Sequence, residues 1–398
     1  MKIKSIKAAE VQFPREPSDT KPRRPSWAED PVLVRPLSRY DRFRSDASWT
    51  PPWKQVACVV EAEDGTWGLG MATYSGPVVS IINDHLAPLL TGEECLATEA
   101  LWDIMTRTTA LYSASGLASY AISAVDLALW DLKGKLLGQP VYRLLGGASK
   151  KIRAYVGGLT LGFQPLDTLE KEVAGFLDQG YDAIKMRVGD TPKKDAERVG
   201  HIRKTFGDDI DIAVDAATRY TVLDLPEVIE YCESNRVYWL EEPFAPDNIP
   251  AYQELSRRTS IPIAAGENHY TRQAFRELFE ARAITICQAD CTKAGGITEV
   301  KKIADMAAAW HFLAAPHTSH SMIGAAANVH LLCAIQNGII FEADVAPINP
   351  FRTDLARNPL QVVDGYIMPN DAPGFGLDID ESTLEQYPAL PGPCYIPG

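Results

Sequence analysis

Eight short apolar runs alternate with helix-like segments over residues 152–341, and this alternation constrains the fold more than any other feature. The runs are Ile152–Val156, Ala183–Met186, Ile210–Val214, Val237–Leu240, Ile261–Ala265, Ile284–Cys287, Phe312–Ala315 and Ile339–Phe341. Helical patterns such as Thr191–Phe206, Leu225–Ser234, Thr271–Glu280 and Ile297–Trp310 lie between them. Such a chain reads as buried parallel strands joined by crossover helices. Eight units favour a closed α/β barrel of the TIM type; a doubly wound open sheet is the alternative, but it gives no reason for eight.

The residues at the end of each run carry the chemistry. The second run ends in Lys185-Met186-Arg187, the third in Asp215, the fourth in Glu241-Glu242-Pro243 and the fifth in Gly266-Glu267-Asn268. The sixth ends in Asp290, the seventh in Pro316-His317 and the eighth in Glu342. From Asp215 to Glu342 the steps through Glu241, Glu267, Asp290 and His317 are 26, 26, 23, 27 and 25 residues, one strand–helix unit each. In a barrel these positions converge on the C-terminal mouth. A lone acid there reads as a helix cap or a solvated loop residue; six ionisable residues in succession read as a site.

Asp215, Glu241 and Glu267 would repel one another unless a cation sat between them. Oxygen-only ligands select a hard ion, and Mg²⁺ is the expected one; without Cys or His among the three, zinc fits less well. Asp290 beside His317 would fix the imidazole tautomer and make a general base. Lys185 and Arg187 share a strand face. Lys185 suits an anion or a developing enolate oxygen, whereas Arg187 is too basic to accept a proton. His320 and His330 read as structural, and Gly295-Gly296 as a turn before a helix.

The rest of the chain differs in texture. Lys2–Phe13 reads as a strand, Pro14–Arg44 as a long loop, and Trp53–Glu63 and Gly65–Thr73 as strands joined at Asp64-Gly65. Gly76–Gly138 has a helical pattern, clearest over Ala118–Leu137, where Ile122, Val125, Leu129 and Leu132 share a face. The expected division is an α+β capping domain over 1–145, the catalytic barrel over 146–348, and a tail over 349–398 packing back on the cap. A net charge of −13 argues against nucleic acid as a partner. No apolar run reaches spanning length and the start has no apolar core of a leader, so neither membrane association nor secretion is expected. Seven cysteines without a C-x-x-C pair read as free thiols in a reducing cytoplasm, with Cys287 and Cys291 in the core.

These motifs resemble the enolase superfamily in its mandelate racemase-like subgroup. The resemblance runs through the helix Ala121-Ile122-Ser123-Ala124-Val125-Asp126-Leu127-Ala128-Leu129-Trp130-Asp131, Gly138-Gln139-Pro140-Val141, Glu241-Glu242-Pro243, Gly266-Glu267, and Asp290 to Gly295-Gly296-Ile297. It implies a capping domain on a modified (β/α)7β barrel, Mg²⁺ on Asp215, Glu241 and Glu267, a His317–Asp290 dyad, and Glu342 against a substrate carboxylate. Two departures weigh against a two-base racemase. Arg187 stands where the subgroup often has a second lysine, and Ala217 stands where an Asn is common.

Pro36-Leu37-Ser38-Arg39-Tyr40, Leu111-Tyr112-Ser113-Ala114-Ser115-Gly116 and Pro373-Gly374-Phe375-Gly376 resemble acid-sugar dehydratases of the rhamnonate dehydratase type, although no histidine precedes His85. The implied activity is Mg²⁺-dependent dehydration of a sugar acid by His317, on a substrate of R configuration at C2. Lys185 and Glu342 are expected to assist from opposite sides. Arg39, Tyr74 and Asn268 are candidate substrate contacts, and residues 14–44 a lid. A racemase or cycloisomerase, and a non-catalytic sugar-acid binding protein, are the alternatives. A homo-oligomer, from dimer to octamer, is the expected assembly.

Overall fold

The computed structural model describes residues 1–11, 54–158, 161–318, 321–346 and 349–386. Its N-terminal layer is an antiparallel meander of β1 (Ile3–Val11), β2 (Gln55–Ala62) and β3 (Trp67–Ala72). β1 buries Ile3, Ile6, Ala8 and Val11. The helical stretch after β3 is not continuous. It contains α1 (Ser75–Ser80), a π-helical turn over Ile81–Leu86, α2 (Ala87–Leu90), α3 (Thr98–Thr109) and α4 (Leu117–Leu137). Gly92 (φ 88°) and Gly116 (φ 62°) take left-handed conformations in the connections, where the sequence pattern predicts continuing helix.

α4 is buried nearly all round, including Ser119, Ser123, Asp126 and Asp131. It packs on β3 so closely that a Cβ at Gly68 or Gly70 would stand 2.1 Å or 1.8 Å from the α4 carbonyl oxygens of Ala128 and Ala124. Only glycine permits that approach.

After α5 (Val141–Leu144) the chain enters the barrel. Its seven strand–helix units are β4 (Ile152–Gly157) with α6 (Leu166–Leu177), β5 (Ala183–Arg187) with α7 (Pro192–Phe206), β6 (Asp211–Asp215) with α8 (Leu225–Ser234), β7 (Leu240–Glu241) with α9 (Ile249–Arg258), β8 (Ile263–Ala265) with α10 (Thr271–Glu280), β9 (Ile286–Cys287) with α11 (Gly296–Ala309), and β10 (Leu313–Ala314) with α12 (Met322–Leu332). β11 (Phe341–Asp344) is the eighth strand. The strands pair in parallel in chain order from β4 to β10, and β11 pairs with β4. The ring closes where Ile339 N–H donates to Ala314 O at 3.0 Å and Ala314 N–H to Asn337 O at 2.9 Å. The fold is therefore a (β/α)7β barrel with an α+β cap.

Tyr155, Ala183, Ala213, Trp239, Ala264, Ile286, Ala315 and Ile340 form the cluster inside the ring. Tyr155 and Trp239 meet edge to face with centroids 5.2 Å apart, and alanines on the neighbouring strands leave room for them. The interior is thus filled, and ligand space is confined to the mouth.

The last described elements are α13 (Pro350–Thr353), β12 (Tyr366–Ile367) and α14 (Glu381–Gln386). β12 pairs antiparallel with β4. Farther on, Gly374 O accepts from Val141 N–H at 2.9 Å and Phe375 N–H donates to Asp131 Oδ1 at 2.9 Å, which ties this segment to α4 and α5. Among the described residues no helix is long and apolar enough to cross a membrane. The described cysteines are free and buried, Cys287 and Cys291 included.

Candidate active site

The strand ends bring Lys185, Arg187, Asp215, Glu241, Glu267, Asp290, His317 and Glu342 into one buried polar network. Parallel pairing sets the first part of it. Arg187 lies opposite Asp215, and Asp215 opposite Glu241, on three adjacent strands. The fully buried Lys185 Nζ lies 2.7 Å from Glu241 Oε1, 2.8 Å from Glu342 Oε1 and 3.4 Å from Asp215 Oδ2. Arg187 Nη1 is paired with Asp215 Oδ2, and Nε donates to Gly158 O at 3.2 Å. Glu241 Oε2 accepts from Gln288 Nε2 at 2.6 Å and from Trp239 Nε1 at 3.0 Å.

The second part centres on His317. Nδ1 is 2.6 Å from Asp290 Oδ2 and Nε2 is 2.9 Å from Glu267 Oε2. Asp290 is oriented in turn, because its Oδ1 accepts from the backbone N–H of Thr292 at 2.6 Å and its hydroxyl at 2.7 Å. Lys293 Nζ is 3.4 Å from Glu267 Oε1. Glu342 Oε2 accepts from Thr318 N–H at 3.1 Å.

Electrostatics reflect this packing. Burial pushes Glu241 up to about 7; Lys185 only partly offsets that, and Asp215 adds to it. Burial acts the same way on Glu342, but Lys185 and His317 outweigh it and hold the carboxyl down at about 2. Burial opposes charge on His317, yet Glu267 and the Asp290 hydrogen bond raise the imidazole to about 10. Backbone strain collects at the same place: Ala217 (φ 44°), Thr218 (φ 64°) and Glu242 (φ 38°) are left-handed just beyond Asp215 and Glu241.

The expectation that Lys185 and Glu342 act from opposite sides is corrected here. β11 returns beside β4, one strand from β5, so the two side chains meet as an ion pair. Asn268 is at the mouth, with its Nδ2 donating to both Glu242 oxygens at 3.1 Å and 2.8 Å. Tyr74 precedes α1 and packs edge to face on Tyr120 at 5.0 Å. Arg39, the expected lid over 14–44 and His320 lie outside the described residues. His330 is removed from the site: its Nδ1 accepts from Tyr142 N–H at 2.9 Å and its Nε2 faces Phe375 O at 3.2 Å.

Sequence reasoning missed Lys293, Gln288, Thr292 and Trp239. Lys293 and Thr292 stand within three residues of Asp290, close enough to the sixth strand end for the same spacing argument to have flagged them. Trp239 stands two residues before Glu241, a spacing that puts both side chains on one side of an extended chain and could have flagged it, whereas Gln288 reaches Glu241 only through the curvature of the ring.

The chemistry of the donor set can be weighed from these contacts. Among the described residues no three acidic or histidine side chains form a ready-made cage; Asp215, Glu241 and Glu267 each turn toward a cationic or imidazole side chain of the protein. Yet Asp215, Glu241, Glu267, Asp290 and Glu342 outnumber Lys185, Arg187, Lys293 and a protonated His317, so the site has carboxylates in excess of its cations. Buried carboxylate oxygens in excess suit a hard divalent cation.

Known proteins share this architecture. Residues 168–383 match the family described as enolase C-terminal domain-like, and residues 50–146 match the mandelate racemase / muconate lactonizing enzyme N-terminal domain. An arabinonate dehydratase from Saccharolobus solfataricus is 34% identical over 341 residues, 84% of this chain and 91% of that protein. The crystal structure of an enolase superfamily member from Polaromonas sp. JS666 aligns over 100% of both chains, with a TM-score of 0.85 and 35% identity. That of a racemase from Streptomyces coelicolor A3(2) with bound magnesium has a TM-score of 0.82 and 27% identity, covering 97% of this chain and 99% of that one. With the strand-end carboxylates and the His–Asp pair in the same barrel mouth, the chain belongs to the enolase superfamily, in its mandelate racemase subgroup.

Proposed function

We propose that this chain is an Mg²⁺-dependent dehydratase of a sugar acid. The observation that carries the reading is the His317–Asp290 hydrogen bond of 2.6 Å at the edge of the carboxylate cluster. A binding protein needs carboxylates or cations, but not an imidazole whose tautomer is fixed by a buried acid. The arabinonate dehydratase relative supports the reaction class, and the magnesium-bound racemase supports the ion.

Asp215, Glu241 and Glu267 would hold the cation, which when bound stabilises negative charge on the substrate carboxylate as C2 loses its proton. Asp290 holds the Nδ1 proton of His317; with Glu267 engaged by the cation, the charge that keeps the imidazole protonated would be offset and Nε2 would be left to accept the C2 proton. The electron pair of the C2–H bond moves into the C1–C2 bond and then expels the C3 hydroxyl, which leaves as water with the proton returned by His317. The enol product rearranges to a 2-keto-3-deoxy acid. Lys185 and Glu342, as one ion pair, face the developing charge on the same side. Arg187 stays protonated on Asp215, so a second base on β5 is disfavoured and the reading favours R configuration at C2.

A library of sugar acids assayed for 2-keto product, with C2 exchange monitored in deuterated water, tests this. His317→Asn should lose exchange and dehydration together by about 10²–10⁴-fold. Exchange that survives in His317→Asn and vanishes in Lys185→Met would move the base to β5 and invert the stereochemistry. A product that keeps its C3 hydroxyl would favour the racemase class instead. Chelation should abolish activity and Mg²⁺ restore it, while Glu241→Gln should weaken Mg²⁺ binding and leave the fold intact; recovery with Zn²⁺ alone would contradict the donor-set argument.

A further inference from the structure

The peptide between His317 and Thr318 is held from both sides. The carbonyl oxygen of His317 accepts from Asn328 Nδ2 at 2.7 Å, and the N–H of Thr318 donates to Glu342 Oε2 at 3.1 Å. Asn328 Nδ2 also donates to Thr318 Oγ1 at 3.0 Å. His317 lies three residues beyond β10, outside any strand ladder, so strand pairing does not fix its backbone. Asp290 meets the ring at Nδ1 and Glu267 faces Nε2 at 2.9 Å, so both side-chain contacts act on a ring whose position follows its backbone. Where Nε2 points then depends on where the backbone of residue 317 is held.

Asn328 is an unusual occupant of its helix. Every residue of α12 is buried, and Asn328 and His330 are its only polar side chains. Oδ1 of Asn328 is buried with no hydrogen-bond partner, an arrangement that disfavours the folded state. Packing of α12 gives no reason for an amide there, whereas the two donors of Nδ2 account for it.

We propose that Asn328 is a positioning residue for the base. It sets the His317–Thr318 peptide, whose other end rests on Glu342, and so aligns the imidazole and the acid with each other. This inference rests on the reading of His317 as the base.

Asn328→Asp keeps the volume and removes both N–H donors, and Asn328→Ser restores a single shorter donor. Two measurements on the full chain separate positioning from plain support of the fold. The first is kcat and KM for C2 proton exchange. Asn328→Asp should lower kcat roughly 10- to 100-fold, as small misplacements of a reacting group do, with KM unchanged, and Asn328→Ser should recover part of it. The second is the downfield proton resonance of His317 Nδ1–H in protein labelled with ¹⁵N-histidine, assigned by its loss in His317→Asn. It should shift or broaden in Asn328→Asp and return toward its position in Asn328→Ser. A lower melting temperature with kcat and the resonance unmoved would overturn the proposal. If the unaltered protein exchanges no sugar acid, the functional reading fails, and the resonance alone decides whether Asn328 positions the ring.

Discussion

Gly157, the last residue of β4, is the position where the site tolerates least. A Cβ there would stand 2.3 Å from Glu342 Cγ and 2.6 Å from its Oε1. That oxygen accepts from Lys185 Nζ at 2.8 Å, and the other oxygen accepts from Thr318 N–H at 3.1 Å. One methyl group would therefore displace the acid from two partners at once. Gly157→Ala should reduce turnover about 10- to 100-fold through misplacement of Glu342, and the barrel should still fold. Steady-state kinetics with a circular dichroism melt check it; unchanged kcat would show that Glu342 has room to move. Lys293 apart, the ionisable residues themselves were legible in the sequence because each stands at the end of an apolar run. Gly157 was not, because its role depends on a side chain 185 residues later in the chain that reaches it only when β11 pairs with β4.

At the scale of elements, the joint between cap and barrel is made by α4 and the start of α11. Helix starts leave backbone N–H groups without intrahelical partners. Here another helix supplies the caps: Ser123 Oγ accepts from Gly295 N–H at 2.8 Å and Gly296 N–H at 3.0 Å, and Asp126 accepts from Thr298 N–H at 3.1 Å and its hydroxyl at 2.6 Å. α11 comes directly after the loop that carries Asp290, Thr292 and Lys293, so the joint also anchors that side of the site. Asp126→Ala removes a cap and strands buried donors, and should cost about 2 kcal/mol in urea unfolding. A change below ~0.5 kcal/mol would mean that water replaces the carboxylate. The apolar face of α4 was readable from Ile122, Val125, Leu129 and Leu132. Its buried polar residues resisted a period-based reading because a helix covered on all sides has no solvent face for them.

Across the whole molecule, His330 links α12, α5 and the C-terminal segment. Burial pushes its imidazole down from 6.5 to about 4. The geometry agrees, since Nδ1 must remain an acceptor for Tyr142 N–H. A base whose folded value lies below its unfolded one stabilises fully above pH 6.5, and that contribution fades as pH falls toward 4. The difference is worth roughly 3 kcal/mol. Stability should therefore fall between pH 6.5 and 4, and His330→Gln should show a shallower acid limb in urea midpoints measured at about pH 7 and about pH 4.5. Parallel profiles for the two proteins would assign the acid sensitivity elsewhere.

The number of barrel strands, the helices Leu225–Ser234 and Thr271–Glu280, and the identity of the strand-end side chains were all determined by the chain's own pattern. Apolar periodicity and spacing are local properties, and burial at one strand end per unit is their direct consequence. The tertiary structure alone decided which of those side chains touch. Ring closure puts Lys185 against Glu342, curvature brings Gln288 onto Glu241, and the packing of α12 sets Asn328 under His317. Contacts of this kind depend on angles between elements distant in the chain, and no spacing of residues along one strand encodes them.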